Sequence, residues 1–253
     1  MFNPNVINTK NLKLPWAELQ ACSNFSFLKG GSHPEEYMDR AAFLGLSAVA
    51  IADENSVAGI VRAHTRAREI KRLVAERKSF DSAKGLIGPP SLPQFKRSPS
   101  ANIYNMPRLL PASKIVLCNG FTATLLPKGR EGWRQLCRLI SCGRLRSKKG
   151  TCHIEFEDLL EFGGNQIILV HSLNIFQNIN IKAQWLSQVR KLSQCFPKDV
   201  MLLLAPKYDG QDSIYFVNLM HASIELSLPL VASAAPVMPV SYTHLTLPTN
   251  REV

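Results

Sequence analysis

The stretch "EEYMDRAAFLGLSAVAIAD", residues 35–53, holds the pattern that decides the fold. In its first half, apolar residues recur at helical spacing and share one face, namely Tyr37, Met38, Ala41 and Leu44. Gly45 suits the left-handed end of such a helix. The following run "SAVAIAD" is apolar without interruption, which is typical of a strand buried on both faces. A helix that leads into such a strand predicts an α/β fold with parallel strands.

The same alternation of apolar strand and helix recurs along the chain. Further strands are predicted at "WAELQAC" (16–22), "KIVLC" (114–118), "FTATLLP" (121–127), "NQIILVH" (165–171), "VMLLLAP" (200–206) and "PLVASAA" (229–235). Asn119-Gly120 is a strong hairpin signal between two of them. About six or seven β/α units favour a closed or nearly closed parallel barrel, with a doubly wound open sheet as the alternative.

The first two helices have recognisable starts. Ser32 and Glu35 have the spacing of a capping box, which predicts a helix that begins at Ser32. A second helix is predicted from near Ser56, and its expected buried face is Val57, Ile60, Val61, His64 and Ala67. We therefore expect His64 to be packed and His33, beside the first cap, to be exposed.

Composition indicates a globular protein without a membrane segment. Of 253 residues, 45% are hydrophobic and 19% are charged. No apolar run could span a bilayer, and the N-terminus lacks the apolar core of a signal peptide, so we expect a cytoplasmic protein with reduced cysteines. Cys137, Cys142, Cys152 and His153 lack the spacing of a zinc site, and we interpret them as buried or incidental.

The chain is basic, with a net charge of +11 and a pI of about 9.6. Such an excess favours a polyanionic partner, most often nucleic acid. The densest basic stretch is residues 128–150, where Glu131 is the only acid. Its candidate DNA-contacting residues are Arg130, Arg134, Arg138, Arg144, Arg146, Lys148 and Lys149. A solvated helix flank without a partner is the alternative interpretation.

Polar residues follow several predicted strands, where the working residues of parallel barrels lie. Gln20 and Cys22 end the first strand, Asp53 and Glu54 end the second, and His171 follows a later one. A multinuclear metal centre needs several converging histidines and carboxylates, and this set supplies too few of them. Asp53 is therefore interpreted first as a structural carboxylate that bonds loop amides or caps a helix, and second as a metal ligand.

The residues from Trp16 to His64 closely resemble the N-terminal polymerase-and-histidinol-phosphatase (PHP) domain of the error-prone branch of bacterial C-family DNA polymerases. These are relatives of the DNA polymerase III alpha subunit. The resemblance extends over "LPASKIVLCNGFTATLLPKGREGWRQLCRLISCGRLRSKKG" and "LLAPKYDG", and then over "LPLVASAAPVM". It implies an α/β fold, a PHP-type (β/α)7 barrel, that we expect to be incomplete at the C-terminus.

In active family members, an H-x-H-S motif, an acidic residue before glycine and a T-D-H motif hold a metal cluster. Here the two histidines are replaced by Gln20 and Cys22, and the acidic residue by Lys29. T-D-H becomes Ala52, Asp53 and Glu54. The resemblance thus implies a degenerate metal site, and we assign no catalytic residue and no metal ligand to it.

The resemblance implies a fragment of a DNA-directed DNA polymerase that acts in damage-tolerant (translesion) synthesis and repair. No residue matches the polymerase carboxylates that hold Mg²⁺, so we expect this domain to be non-catalytic, to bind no cofactor and to support the polymerase. DNA is the expected partner, with other translesion-synthesis proteins possible. The alternatives are a metal-dependent phosphoesterase or 3′–5′ exonuclease that works through Cys22, Asp53, Glu54 and His171, and a free-standing basic nucleic-acid-binding module.

The expected domain organisation has four parts. Residues 1–15 form an N-terminal extension, and residues 16–238 form the PHP-like domain. Within that domain, the proline-rich residues 79–113 are predicted to be an inserted surface loop. Residues 239–253 do not continue the family pattern and resemble a translated sequencing-adapter tail, so we interpret them as an assembly artefact.

Overall fold

A computed structural model describes residues 16–83, 106–172 and 179–238. The strands are β1 (Ala17–Ala21), β2 (Ala48–Glu54), β3 (Arg108–Val116), β4 (Thr122–Pro127), β5 (Gln166–Val170), β6 (Val200–Leu204) and β7 (Leu230–Ala232). The helices are α1 (Pro34–Leu44), α2 (Ala58–Ala83), α3 (Gly129–Leu145), α4 (Phe156–Phe162), α5 (Ile179–Cys195) and α6 (Asp212–Leu226).

The strands form one seven-stranded sheet in the order of the sequence, β1 to β7. Most neighbours are parallel, but β4 is antiparallel to both β3 and β5. The expectation of an entirely parallel barrel was therefore wrong at β4. The reason is the tight turn at Asn119 and Gly120, which the sequence did indicate: a connection this short reverses the chain, whereas a parallel neighbour needs a long crossover.

An apolar cluster that draws on every strand fills the inside of the curled sheet. Its members are Leu19, Ala50, Ala52, Leu110, Ala112, Leu126, Ile167, Leu169, Met201, Leu203, Ala205 and Val231. Two other clusters lie on the opposite face, one between β1, β2 and the first two helices, the other between the later strands and α3 to α6. Side chains inside and helices outside are the layers of a β/α barrel, which is the architecture that the resemblance implied.

The chain that follows β7 bridges the two edge strands of the sheet. The backbone N–H of Cys22, just after β1, donates to the carbonyl of Pro236 at 3.1 Å, and Gly31 N–H donates to the carbonyl of Val237 at 3.0 Å. Nearby, the buried carboxylate of Glu18 accepts from Ser233 Oγ and, at 2.9 Å, from the backbone N–H of Ala234. We call these contacts the seam.

The ends of the predicted proline-rich loop belong to regular elements, which corrects its boundaries. Residues 79–83 complete α2, and residues 108–113 lie in β3, paired with β2. Pro111 is compatible with this strand because the pairing with β4 begins only at Ser113, so part of β3 has a partner on one side alone. The remainder of the predicted loop, residues 84–105, lies outside the described residues, as do residues 1–15 and 239–253.

Two details of the first helices also differ from the sequence expectation. The N-cap of α1 is His33 rather than Ser32, since the backbone N–H of His33 donates to Glu36 Oε2 at 2.8 Å. In α2 the buried face is Gly59, Ala63, Ala67 and Ile70, whereas Val61 and His64 are exposed. The predicted packing of His64 was therefore wrong, because the buried face is rotated from the predicted one and leaves His64 with Val61 on the solvent side. No helix among the described residues has the length and apolar character to cross a membrane.

Candidate functional site

Five polar side chains lie above the apolar cluster, at the open end of the curl. Alternate residues of a strand face the same side, so the inward series of β2, β3 and β5 continues through Glu54, Lys114 and His171. In antiparallel β4 the same series runs from Leu126 to Thr124. Gln20 of β1 joins them through a hydrogen bond to Thr124. We call Gln20, Glu54, Lys114, Thr124 and His171 the mouth layer.

The charged part of the mouth layer is a carboxylate with two lysines near it. Glu54 pairs with Lys29, which comes from the loop after β1. Lys114 is opposite Glu54 in the register of β2 and β3, and it is half-buried. Burial lowers the pKa of Lys114 below its usual value, and the nearby carboxylate of Glu54 opposes that effect.

The neutral part of the layer is a short hydrogen-bonded chain. Thr124 Oγ1 lies 3.1 Å from Gln20 Oε1 and 2.9 Å from His171 Nε2. His171 is buried, and this burial, with the charge of Lys114 as a second cause, lowers its pKa to about 3. His171 is therefore a neutral imidazole at physiological pH.

Asp53 faces away from the mouth layer, into the helix side of the sheet. Its carboxylate accepts from the backbone N–H and hydroxyl of Ser23, each at 2.9 Å, and from the hydroxyl of Ser26 at 2.9 Å. Gly59 of α2 packs directly against it, and a Cβ there would come within 2.5 Å of Asp53 Oδ2. We call this arrangement the serine latch; it has the structural form that the sequence favoured, a carboxylate bonded to a loop amide.

Cys22 lies between the mouth layer and the seam. Burial raises the pKa of its thiol, so the thiol stays protonated near neutral pH. Its backbone is held from both directions, because the carbonyl accepts from Tyr37 Oη at 2.8 Å while the N–H is used by the seam. The structure thus places Gln20, Cys22, Lys29 and Glu54 around one opening, and Asp53 behind it.

The side chains around the opening do not fit the metal cluster of active family members. Of the described residues, no three His, Cys, Asp or Glu side chains converge as a metal-binding group. Within the layer, Glu54 is paired with Lys29, and His171 Nε2 contacts Thr124. A multinuclear centre needs several converging carboxylates and imidazoles, and the donor set here is one of each with ammonium groups beside them.

The basic stretch forms part of α3 and the loop after it. Two of its arginines are engaged in ion pairs: Arg134 with Glu131, and Arg146 with the carboxylate of Asp158 in α4. Arg144 donates to the backbone carbonyl of Asn55 at 2.8 Å. The remaining four are exposed and form no ion pair with another described residue: Arg130, Arg138, Lys148 and Lys149.

Sequence reasoning missed Lys114, Thr124 and Glu18. The alternation in β3 carried a usable signal, because Leu110 and Ala112 precede Lys114 at the same two-residue spacing as Ala50 and Ala52 precede Glu54. The interpretation of residues 79–113 as a proline-rich surface loop hid this signal. Glu18 gave no signal, since its partners in the seam, Ser233 and Ala234, are more than two hundred positions away in the sequence.

Comparison with known proteins identifies the family of the chain. The PHP domain family model matches residues 18–180. The chain is 33% identical over 227 residues to an error-prone DNA polymerase of Ruegeria pomeroyi, covering 87% of this chain and 20% of that protein. It is 31% identical over 224 residues to an error-prone DNA polymerase of Rhodopseudomonas palustris, covering 88% of this chain and 17% of that protein. The chain therefore spans about a fifth of the length of the curated relatives it matches.

A solved structure from Bifidobacterium adolescentis, assigned as a metal-dependent phosphoesterase, has the same fold. Its TM-score is 0.52 at 11% sequence identity, and the match covers 89% of this chain and 88% of that one. At this identity the likeness concerns the fold alone. The family match at residues 18–180 covers well over half of the sequence and agrees with the curled seven-stranded sheet. The chain belongs to the PHP domain family.

Proposed function

We propose that this chain is the PHP domain of an error-prone DNA polymerase and that it supports the polymerase without catalysing a reaction of its own. The observation that carries the proposal is the similarity to error-prone DNA polymerases across 87% of the chain. In that setting the activity is damage-tolerant DNA synthesis in the cytoplasm, the partner is DNA, and Mg²⁺ serves the polymerase carboxylates beyond this region. Other translesion-synthesis proteins are further candidate partners.

The supporting role is favoured by the way in which the acidic side chains are used. The carboxylate of Asp53 accepts three hydrogen bonds from Ser23 and Ser26 in the serine latch, and Glu54 is paired with Lys29. Groups engaged in this way stabilise the fold but are poorly placed to hold metal ions or to activate water.

The outer face of α6 also favours a supporting role. Ile214, Val217, Met220 and Ile224 recur at spacings of three and four residues and are all at least half exposed. The inner face is apolar as well, through Leu219 and Ala222. A helix that is apolar all round is normally covered on both sides, and we propose that the polymerase region outside the matched fifth of the relatives covers this one.

A chimera tests the polymerase assignment. Residues 16–238 of this chain would replace the matched segment of the Ruegeria pomeroyi polymerase, and primer extension would be measured. We expect template-dependent synthesis by the chimera and its loss when the segment is simply deleted. A soluble, folded chimera without synthesis would count against the proposal.

Metal analysis separates the supporting role from the phosphoesterase alternative. We expect the purified chain to carry less than stoichiometric zinc or manganese and to release no phosphate from nucleotide esters with either metal added. Stoichiometric metal together with phosphate release that disappears in Asp53→Ala would establish the phosphoesterase instead. The free-standing DNA-binding alternative is favoured by the net charge of +11 and by the four exposed cations of the basic stretch that form no ion pair with another described residue.

A further inference from the structure

Two cysteines from separate parts of the fold line one cavity. Cys118 lies in the turn between β3 and β4 and is exposed, and Cys152 lies in the connection between α3 and α4 and is half-buried. Both line a cavity of about 370 Å³, together with Arg144 from the end of α3. A small oxidant that enters this cavity from solvent therefore meets two thiols and a cation.

Hydrogen bonds hold the two cysteine-bearing segments side by side. The backbone N–H of Cys118 donates to the carbonyl of Ile154 at 3.0 Å. The thiol of Cys118 donates to the same carbonyl oxygen, with its sulfur 3.0 Å away. Because Ile154 is only two residues beyond Cys152 in the chain, the thiol of Cys118 is fixed beside the segment that carries Cys152.

Electrostatics link the two thiols to each other and to the arginine. Burial raises the pKa of the Cys152 thiol above its usual value, and the charge of Arg144 opposes that rise. A Cys118 thiolate raises the pKa further, because the two sulfurs are near enough to repel when both are charged. Arg144 is held in place by its 2.8 Å hydrogen bond to the carbonyl of Asn55. Its charge favours the thiolate, which is the reactive form of a cysteine.

The backbone around both cysteines is free to adjust to a covalent bond. A disulfide requires α-carbons within about 7 Å of each other. Residues 151–155 belong to neither helix nor strand, and Cys118 lies just beyond the end of β3. The bond would replace only the weak hydrogen bond from the Cys118 thiol to Ile154 and a 3.9 Å contact of Cys152 Sγ with the carbonyl of Ile140.

We propose that Cys118 and Cys152 form a reversible oxidation site, which closes into an intramolecular disulfide when the protein meets hydrogen peroxide. The exposed Cys118 thiolate attacks a peroxide oxygen, which gives a sulfenic acid and releases hydroxide. The Cys152 thiolate then attacks the sulfenic sulfur and displaces a second hydroxide. With the two thiol protons, the balance is two thiols and one peroxide to one disulfide and two waters.

A dithiol reductant reverses the reaction by thiol–disulfide exchange, so the pair is reduced under ordinary cytoplasmic conditions. When closed, the bond ties the connection after α3, with the exposed Lys148 and Lys149, to the turn between β3 and β4. The inference does not depend on the polymerase assignment.

The test is peptide mapping of the full 253-residue chain after treatment with hydrogen peroxide and alkylation of the remaining thiols. Trypsin places Cys118 in residues 115–128 and Cys152 in residues 150–182, and each peptide contains one cysteine. We expect these two peptides to be joined in most of the treated chains and to separate after dithiothreitol. Absence of this linked pair, or a bond from Cys152 to Cys142 in its place, would overturn the proposal.

Three serine variants accompany the mapping: Cys118→Ser, Cys152→Ser, and Cys195→Ser as a matched control at an exposed cysteine outside the pair. The melting temperatures of the wild type and Cys195→Ser should rise on oxidation and return with dithiothreitol, because the bond restricts the unfolded chain. Cys118→Ser and Cys152→Ser should show no such rise, and thermal unfolding of the reduced variants confirms that they are folded.

Two results of these measurements contradict an internal bond. The first is a rise in Cys118→Ser or Cys152→Ser as large as that of the wild type. The second is a disulfide-linked dimer on a non-reducing gel that takes the place of the internal bond and disappears in Cys118→Ser, because Cys118 would then react with another chain.

Discussion

At the scale of one residue, the structural role of Asp53 could be predicted from the sequence. Its position at the end of an apolar strand marked it as a structural carboxylate, and the serine latch has that form. The role of Lys114 could not be predicted in the same way. Most lysines are exposed, so the alternation that puts Lys114 on the inward face was easily overlooked, and the register of β2 and β3 is needed to place it opposite Glu54.

Replacing Asp53 should unfold the domain more readily than replacing a surface aspartate. Asp53→Ala leaves the hydroxyls and amide of the latch without their buried acceptor, and we expect a loss of about 3 to 5 kcal/mol in the free energy of unfolding. Asp199→Ala, which removes the partly exposed partner of Lys128, should cost less than about 1 kcal/mol. Urea denaturation of the two variants measures both. Similar losses would mean that the latch does not stabilise the fold.

The pKa of His171 predicts a pH dependence of stability. The folded state keeps His171 neutral down to about pH 3, whereas the unfolded chain binds a proton below its usual pKa of 6.5. The unfolded state therefore holds more protons in this range, and stability falls as the pH falls. Between pH 7 and pH 5 the contribution is about 2 kcal/mol.

Urea denaturation at several pH values tests this in His171→Gln, which should lose that part of the slope. His64→Gln, at an exposed position on α2, should keep the slope of the wild type. If both variants retain the same slope, His171 titrates normally in the folded protein.

At the scale of elements, the strands were predicted well and their directions less well. Continuous apolar runs located β1, β2 and β4 to β7 within a few residues, because burial on both faces leaves a strong signal. The turn at Asn119 and Gly120 did indicate that β4 runs antiparallel to β3. That β5 then pairs with β4 in the antiparallel sense depends on the path through α3 and α4, which leaves no such signal in the sequence. The predicted start of β3 was six positions too late, because the proline within the strand indicated a loop.

The basic face of α3 gives a prediction about DNA. Arg130 and Arg138 are exposed and free of ion pairs with described residues, so Arg130→Glu with Arg138→Glu should weaken the binding of single-stranded DNA by the chain and lower its salt dependence. Arg68→Glu with Lys71→Glu makes the same change of charge on exposed positions of α2 and is the control. Fluorescence anisotropy over a salt series would show the difference. Equal effects of the two pairs would indicate a response to net charge alone.

At the scale of the whole molecule, the exposed apolar face of α6 should make the isolated chain self-associate. Ile214→Ser, Val217→Ser and Ile224→Ser together should reduce binding of a hydrophobic dye and shift sedimentation toward the monomer. Val61→Ser on α2 removes a single exposed side chain, 71% accessible, and should change neither. A wild-type chain that is monomeric and does not bind the dye would contradict the prediction.

The seam has a consequence for how the domain is made on the ribosome. Two of the donors to Glu18 are Ser233 and Ala234, so the contacts of the first strand in the seam form only after the last part of the domain has been synthesised. Until then Glu18 lacks two of its native donors, and the backbone N–H of Cys22 lacks its native acceptor. Contacts of such long sequence separation slow folding, because a large loop must close before they form. A nascent chain arrested before Ser233 should therefore remain sensitive to protease at β1, and release of the segment through Met238 should protect it.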